Sequence, residues 1–558
     1  MVAAGPALIL AALVTAAQPD SVAALRSAQR AQQAFESRRG FLAPRTLGSR
    51  AADGDCDEKI GRFCYWYGDD RVPLPREPDV IKVARKQLLD LLDSAAAELP
   101  GDWWIAGQRV RYLVESERFP EAYAAARACR AEPWWCEALE GFARHAAGDD
   151  AAADTVYAAA LADMPDALRC RWTDLTPLLD GSLRHRYSRL DCASRGAFSA
   201  RLWWLAQPLL SRPGNDRRVE HFARLTMVRM LERAGSAWAS PLADDLRELT
   251  LRYGWPVAWS QPLTDELNDA RDVTGHERVP AFHFFPDVEP TKDPRVAAWT
   301  LQPPRPHERY APLYATTFET LAPDFAVFRR PDSTVLVVAF DLTRDTLWQS
   351  APPQLVAVLA ADERSAPVVA RDERPTPRGV LVAAAPWPAS FAGFEVTREP
   401  LHRAGRARVA LAARDSGTVQ LSDALVFDPL GPVDSLPQRL DLVLPFVHGP
   451  ARVAQAARIG LYWEVYGLAP SEPIETSVAV TPLKTGLLRR LGGWIGLGTR
   501  RQTSLAWREV AQPQRGVVGR AVALDVASLA PGRYRVAVTV RARGHDVTTA
   551  RELEIVLP

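Results

Sequence analysis

The densest group of chemically competent side chains is Asn215-Asp216-Arg217-Arg218 followed by Glu220 and His221. Carboxylate, imidazole and guanidinium groups together could transfer a proton and steady a developing negative charge, as a hydrolase requires. The same residue types also start a helix. Asn215 or Asp216 suits an N-cap, and Arg and Glu at helical spacing make a salt-bridged face. The structural use accounts for all six residues without a substrate. Other groups fall short of their chemistry. Asp53-Gly-Asp-Cys-Asp57 opens like a calcium loop, but Glu58 stands where the sixth position needs glycine and Cys64 where the twelfth needs glutamate. It reads as a solvated acidic turn. His276 and His283 lie near each other in sequence with His221 upstream, at a spacing too irregular for converging metal ligands. Gly492 to Gly498 is glycine-rich but has neither the lysine nor the strand–helix context of a phosphate cradle. No Gly-x-Ser-x-Gly or His-Glu-x-x-His motif occurs. No catalytic residue, metal or cofactor is expected.

Two features would serve recognition instead. Trp103-Trp104 and Trp134-Trp135 form an aromatic quartet that could bind a carbohydrate or other ligand if exposed. Leu487 to Arg501 carries four arginines, a tryptophan and several aliphatics. Such a segment makes weak membrane contact as a short amphipathic helix, or covers an open edge of its own sheet; the edge-covering role is the expectation.

These residues sit in a chain whose six cysteines, Cys56, Cys64, Cys129, Cys136, Cys170 and Cys192, all lie in the first 192 of 558 residues. They are neighbouring pairs, and proximity predicts Cys56–Cys64, Cys129–Cys136 and Cys170–Cys192 disulfides. Residues 1–17 read as a secretory signal: an apolar run of about ten residues, too short to span a bilayer, ending in small residues. Both features place the protein outside the cytoplasm, periplasmic or secreted.

Net charge is +1, which leaves no global field for nucleic acid. Among the 68 basic residues only Lys59, Lys82, Lys86, Lys292 and Lys484 are lysine, a bias that fits a GC-rich genome better than arginine-mediated binding.

Apolar periodicity changes near residue 300 from helical to alternating. Residues 18–260 read as a helical domain, with one exposed helix over the polar, Ala-rich Val22–Phe41, an amphipathic helix over Asp79–Leu99 and a strand or final helical turn at Leu246–Tyr253. The tryptophan pair repeats after about 31 residues. With Gly141, Ala153, Tyr157, Ala160 and Pro165 the second unit has the small–large–small spacing of tetratricopeptide-like helical hairpins. Residues 261–309 read as a linker. Residues 310–432 and 433–558 read as two β-sandwich, immunoglobulin-like domains that fold without the N-terminal half, joined near the Pro- and Gly-rich Asp428–Gln438. The fold class is thus α+β multidomain.

Asn215-Asp-Arg-Arg-Val-Glu-His-Phe-Ala-Arg224, followed by Asp245-Leu-Arg-Glu-Leu-Thr-Leu-Arg-Tyr-Gly-Trp-Pro256, resembles the GWxTD-domain family of exported bacterial proteins. Leu529-Ala-Pro-Gly-Arg-Tyr534 is similar to a phrase in their terminal sandwich. The Gly-Trp-x-Thr-Asp motif itself is absent, with Trp238-Ala-Ser-Pro-Leu-Ala-Asp244 roughly in its place. The resemblance implies an exported helical-plus-sandwich architecture and no catalytic residue.

The function expected is an exported, non-enzymatic binding or envelope-scaffold protein with protein partners in the cell envelope. The alternatives are an extracytoplasmic hydrolase using the Asp216 to His221 cluster, and a carbohydrate- or ligand-binding protein using the tryptophans.

Overall fold

The computed structural model describes residues 19–46, 56–67, 73–262, 273–286, 299–330, 332–343, 352–411, 418–429, 436–447, 449, 452–454, 458–483 and 503–556. The signal-like residues 1–17, the start of the acidic turn at 53–55 and the Leu487–Arg501 segment lie outside them. The chain is mixed α and β, with its three disulfides in the N-terminal part. It divides into two units, and both are discontinuous in sequence. The first takes residues up to Ser199, Gly214–Ala281 and Pro304–Ala311; the second takes Ala200–Pro213, Phe282–Pro303 and Pro312 onward. The stretch expected to be a linker, 261–309, is therefore shared between them. Its last part is deeply enclosed, with Glu308 0% and Arg309 5% exposed.

The first unit opens with α1 (Pro19–Phe41), β1 (Arg45–Thr46), β2 (Glu58–Ile60) and β3 (Phe63–Tyr65). Helices α2 (Asp79–Glu98), α3 (Trp103–Glu115), α4 (Phe119–Arg127), α5 (Pro133–Ala146) and α6 (Asp150–Asp163) pack each on the next. Local sequence sets their starts. Asp102 accepts the amide of Ile105 and Asp149 that of Ala152, while Pro120 and Pro133 occupy first-turn positions where no amide is needed. Helices α5 and α6 approach closely at Gly141. A side-chain carbon there would lie 2.9 Å from the Tyr157 ring, so the pair closes only with glycine. The unit continues through α7 (Asp166–Trp172), α8 (Gly181–Ser188), α9 (Cys192–Ala206), α10 (Asp216–Leu231), α11 (Asp244–Tyr253), β4 (Ala258–Pro262) and β5 (Thr274–His276). Leu246–Tyr253, ambiguous in sequence, is helical, because Leu246, Leu249, Thr250 and Tyr253 form its buried side. Helix α9 crosses the division: its residues from Ala200 belong to the second unit.

Cys56–Cys64 staples the β2–β3 hairpin, Cys129–Cys136 the α4–α5 turn, and Cys170–Cys192 joins α7 to the start of α9. Cα separations of 5.3, 5.5 and 5.7 Å are ordinary for disulfides.

The second unit contains two pairs of facing sheets. In the first pair, β6 (Thr317–Thr320), β7 (Asp324–Arg329), β8 (Thr334–Asp341), β9 (Gln354–Ala360), β10 (Val368–Arg371), β11 (Arg378–Ala385), β12 (Phe391–Arg398) and β13 (Arg403–Ala410) make a five-stranded sheet, β10-β9-β12-β13-β6, and a three-stranded sheet, β11-β8-β7. Leu336, Val338, Phe340, Leu355, Leu359 and Phe394 fill the space between. The second pair uses β14 (Gln420–Leu421), β15 (Leu425–Phe427), a short helix α12 (Leu440–Val443), β16 (Arg452–Ala454), β17 (Arg458–Tyr466), β18 (Pro473–Pro482), β19 (Thr503–Val510), β20 (Val517–Asp525), β21 (Gly532–Ala542) and β22 (His545–Val556). Strand β17 pairs with β14, β15 and β20; the facing sheet runs β16-β22-β21-β18-β19.

Neither pair stands alone. The outer side of the β11-β8-β7 sheet, through Ala326, Phe328, Val335 and Val337, shares a core with Leu425, Phe427, Leu440, Val443 and Tyr462. The outer side of the five-stranded sheet, through Val356, Val358, Ala360 and Phe391, is covered by Trp204, Leu205, Leu210 and Trp299. Polar groups hold that cover in place. Arg408 donates to the Leu205 carbonyl at 2.9 Å, Arg406 to the Pro208 carbonyl at 2.9 Å, and Glu395 accepts the amides of Leu210 and Ser211 at 2.8 and 2.9 Å. Strands β8, β9, β12 and β17 are accordingly buried along almost their whole length, which explains runs such as Val335-Leu-Val-Val-Ala-Phe340.

Candidate functional site

The polar cluster singled out in sequence lies on α10, the most enclosed helix of the first unit. All its residues except Arg218 and Arg229 are buried. Helix α10 packs against α3, α5, α6 and α11, and so fills the space that the helical hairpins leave between them. Asn215 is the N-cap, its side-chain oxygen accepting the Arg218 amide at 3.0 Å. Arg218 reaches Asp154 of α6 at 2.9 Å. Arg217 and Glu308, each 0% exposed, pair with Nε 3.0 Å from the carboxylate. Asp216 accepts from the Tyr310 hydroxyl at 3.4 Å.

Glu220 belongs to a longer chain of contacts. His145 of α5 lies between two carboxylates, Nδ1 2.7 Å from Asp150 and Nε2 2.7 Å from Glu220. Burial alone would depress the imidazolium, but the two hydrogen-bonded carboxylates outweigh it and raise the ring to about 9. Burial likewise opposes the Glu220 charge, yet the Arg224 guanidinium and His145 hold its carboxyl well below the usual range. Arg224 Nε meets Glu220 at 2.7 Å, and its other nitrogens donate to the carbonyls of Leu251, Arg252 and Arg309 at 3.0, 2.8 and 2.7 Å. The end of α11 is thereby tied to α10. The two segments that carry the family resemblance, 215–224 and 245–256, meet at this arginine. His221 points elsewhere in charge: burial, then Arg217 and Arg224, push its ring down to about 3, so it is neutral.

This arrangement is unsuited to proton transfer on a substrate. Its acids and bases are paired with one another inside the unit, and a general base must reach a substrate atom. His145, Asp150 and Glu308 complete the network and were not singled out in sequence. His145 and Asp150 straddle the α5–α6 turn, five residues apart, a weak signal. Glu308 stood in the expected linker and gave none.

Three of the four tryptophans are core residues, and only Trp103 is half-buried. Trp104, Trp134 and Trp135 are 2%, 8% and 0% exposed. Trp135 Nε1 donates to the Trp103 carbonyl at 2.9 Å, Trp134 packs edge-on to Trp172, and the Arg229 guanidinium covers Trp103 at 4.0 Å. Large rings at this spacing fill the gaps between hairpins.

A concave site is formed elsewhere in the first unit. The stapled hairpin supplies Tyr65 and Trp66, β5 with its tail supplies His276, Glu277 and Val279, and Leu74 also lines the cleft. The enclosed part of this cleft is about 40 Å³, enough for a few waters and far below the volume of small-molecule sites. Tyr65 is fixed by stacking on Tyr253 at 3.7 Å. The β5 wall rests on Trp238 and Pro256, which approach Gly275 so closely that a side-chain carbon would fall within 2.6 Å of both. Across the β4–β5 ladder, Ser260 Oγ lies 2.7 Å from His276 Nε2, and burial lowers the imidazole below its ordinary pKa. A serine–histidine contact of this kind suggests a nucleophile and base. Ser260 is only 1% exposed, however, and does not line the cleft, so the contact ties two strands together. Among the described residues no three histidine, cysteine, aspartate or glutamate side chains converge as metal ligands. No described helix is long and apolar enough to cross a membrane.

No protein-family model matches the chain, and no curated protein matches it. Solved structures give low similarity. The native conformation of Escherichia coli alpha-2-macroglobulin is 11% identical over 43% of this chain and 17% of that chain, with a TM-score of 0.16. Red sea bream transglutaminase is 9% identical over 42% of this chain and 31% of that chain, with a TM-score of 0.15. The chain spans less than a third of the length of either protein.

Proposed function

We propose that this chain is an exported, non-enzymatic protein that binds a protein partner or serves as a scaffold in the cell envelope. In this reading a tetratricopeptide-like helical region precedes two immunoglobulin-like sandwiches, an architecture akin to that of GWxTD-domain proteins. The observation that carries it is the pairing of His145, Glu220 and Arg224 with one another and with backbone carbonyls inside the unit. The residues best suited to hydrolysis are thereby committed to holding helices together. Three disulfides are consistent with an extracytoplasmic protein. The filled space around α10 also bears on where a partner sits. A peptide lying along the inside of the hairpins would have to displace α10, so a partner engages the outer surfaces.

The test is quantitative cross-linking of the tagged full chain in intact envelopes, followed by reconstitution with the purified candidate partner. A saturable complex between the two purified proteins supports the proposal. Turnover of an ester, amide or glycoside panel by the purified chain, abolished in Glu220→Gln, would replace it with the hydrolase alternative.

A further inference from the structure

We propose that the Cys170–Cys192 disulfide is a site of thiol–disulfide exchange, opened and reclosed in the folded protein by an external dithiol. Cys192 is the exposed member of the six cysteines; the other five are half-buried. Exchange needs a thiolate to reach one sulfur along the line of the bond, so access decides which disulfide reacts and at which end. The Cys56–Cys64 and Cys129–Cys136 bridges have no exposed end. Cys192 opens α9 beside Asp191, whose carboxylate accepts the Ser194 amide at 2.7 Å.

The other end is suited to leave. Cys170 stands on α7 between Arg169 and Arg171. Arg169 is paired with Asp166, whereas Arg171 is exposed and has no carboxylate partner among the described residues. A guanidinium close to a thiolate stabilises it, and a more stable thiolate leaves faster. The exchange runs in two displacements. A thiolate of the reductant attacks the Cys192 sulfur, the bond to Cys170 breaks, and its electron pair stays on the Cys170 sulfur. The reductant's second thiolate then attacks the reductant sulfur of the mixed disulfide and expels Cys192. The reductant ends as a disulfide and the protein as two thiols, with the two protons passed from the reductant to the cysteines.

The opened pair keeps its place, because other contacts hold the loop that the disulfide closes. Tyr187 of α8 donates to the Thr173 carbonyl at 2.9 Å and accepts the Leu175 amide at 3.2 Å. The Arg195 guanidinium lies over the Tyr187 ring at 4.8 Å and reaches Asp174 at 3.3 Å. Leu175, Leu178, Leu179 and Leu183 bury the inner side of the same loop. The two Cα atoms are 5.7 Å apart, and with the loop held there oxidation restores the bond. Opening is thus a local event and not an unfolding. The electrons have two sources, a small thiol or a dithiol protein. The inference does not rest on the proposed protein partner, and either outcome of that test leaves it standing.

Timed reduction of the full-length oxidised protein without denaturant provides the test, with alkylation of the freed thiols and peptide mass mapping at each time point. The reductants are dithiothreitol, glutathione as a monothiol that marks the attacked sulfur, and thioredoxin as a protein dithiol. Cys170–Cys192 is expected to open at least fivefold faster than either other pair, with near-ultraviolet circular dichroism retained and the bond recovered when oxidised glutathione replaces the reductant. The first glutathione adduct falls on Cys192. Arg171→Ser, an exposed position, slows this opening at least twofold and leaves the other two pairs unchanged. Faster opening by thioredoxin than by dithiothreitol at equal thiolate concentration identifies a dithiol protein as the source; equal or slower opening identifies a small thiol. Equal rates at the three pairs, a first adduct on Cys170, opening that abolishes the near-ultraviolet signal, or an unchanged rate in Arg171→Ser overturns the proposal.

Discussion

Nε2 of His145 lies 2.7 Å from a carboxylate oxygen of Glu220, and through that contact the α5–α6 hairpin is joined to α10. A buried imidazolium between two carboxylates has a pH signature. The ring is raised from an ordinary value near 6.5 to about 9. Its contribution is therefore fully present below pH ~6.5 and disappears as pH rises through about 9, and a shift of this size is worth roughly 3 kcal/mol. His145→Gln removes the cation and leaves Asp150 and Glu220 enclosed together, costing about 3–5 kcal/mol at pH 7. Urea unfolding from pH 5 to 10 should show the gap between wild type and variant narrowing steadily from pH ~6.5 and levelling off above about 9. A gap that stays constant across that range would mean the ring is neutral in the folded protein.

Gly141→Val should destabilise the first unit by about 1–3 kcal/mol through contact with the Tyr157 ring. Tyr157→Ala alone should cost about 3–5 kcal/mol, because it empties an enclosed site. In the double variant the valine meets no ring, so the two costs should sum to more than the measured loss. Additive costs would place the α5–α6 contact elsewhere.

A fragment beginning at residue 310 should not fold as a cooperative β protein, although its alternating sequence suggests that it would. It lacks Trp204, Leu205, Leu210 and Trp299, and leaves Val356, Val358 and Phe391 facing water. The loss is about 1.5–3 kcal/mol for each large side chain uncovered, with the carbonyl partners of Arg406 and Arg408 lost as well. In the full chain, Trp204→Ala should lower the thermal midpoint of the same unit. Sharp unfolding of the 310–558 fragment, at the midpoint shown by the intact protein, would contradict this.

Reduction should act on one unit alone. All three disulfides lie in the first, and each is worth about 2–3 kcal/mol in the chain-entropy description. Calorimetry with and without reductant should show one transition moving down and one, from the cysteine-free sheets, holding its position. Equal displacement of both transitions would show that the units unfold together.

The elements were readable where a single local rule governed them. Asp79–Glu98 follows its apolar stripe, and the cysteine pairs follow proximity. The Gly141–Tyr157 contact sits where the small–large spacing places two close helices. What was not readable depends on distant partners. Arg217 takes Glu308 across 91 residues, and Trp104 and Trp135 became core where α3 and α5 pack against α10. The double cover of the sheets had a signal that alternation obscured: the unbroken apolar runs of β8 and β9 demand two dry faces. Trp66 and His276 are joined in a cleft only by folding, and neither carries a motif.

The cover that residues 200–213 lay over the five-stranded sheet has a consequence in time. The Leu210 amide bonds to Glu395, 185 residues further along the chain. At ribosomal rates of 5–20 residues per second that carboxylate follows after about 10–40 s. Throughout that interval Trp204, Leu205 and Leu210 have no sheet to lie on. The nascent chain thus carries an apolar stretch without its cover until the C-terminal half arrives, and a chain cut short before residue 391 lacks that cover altogether.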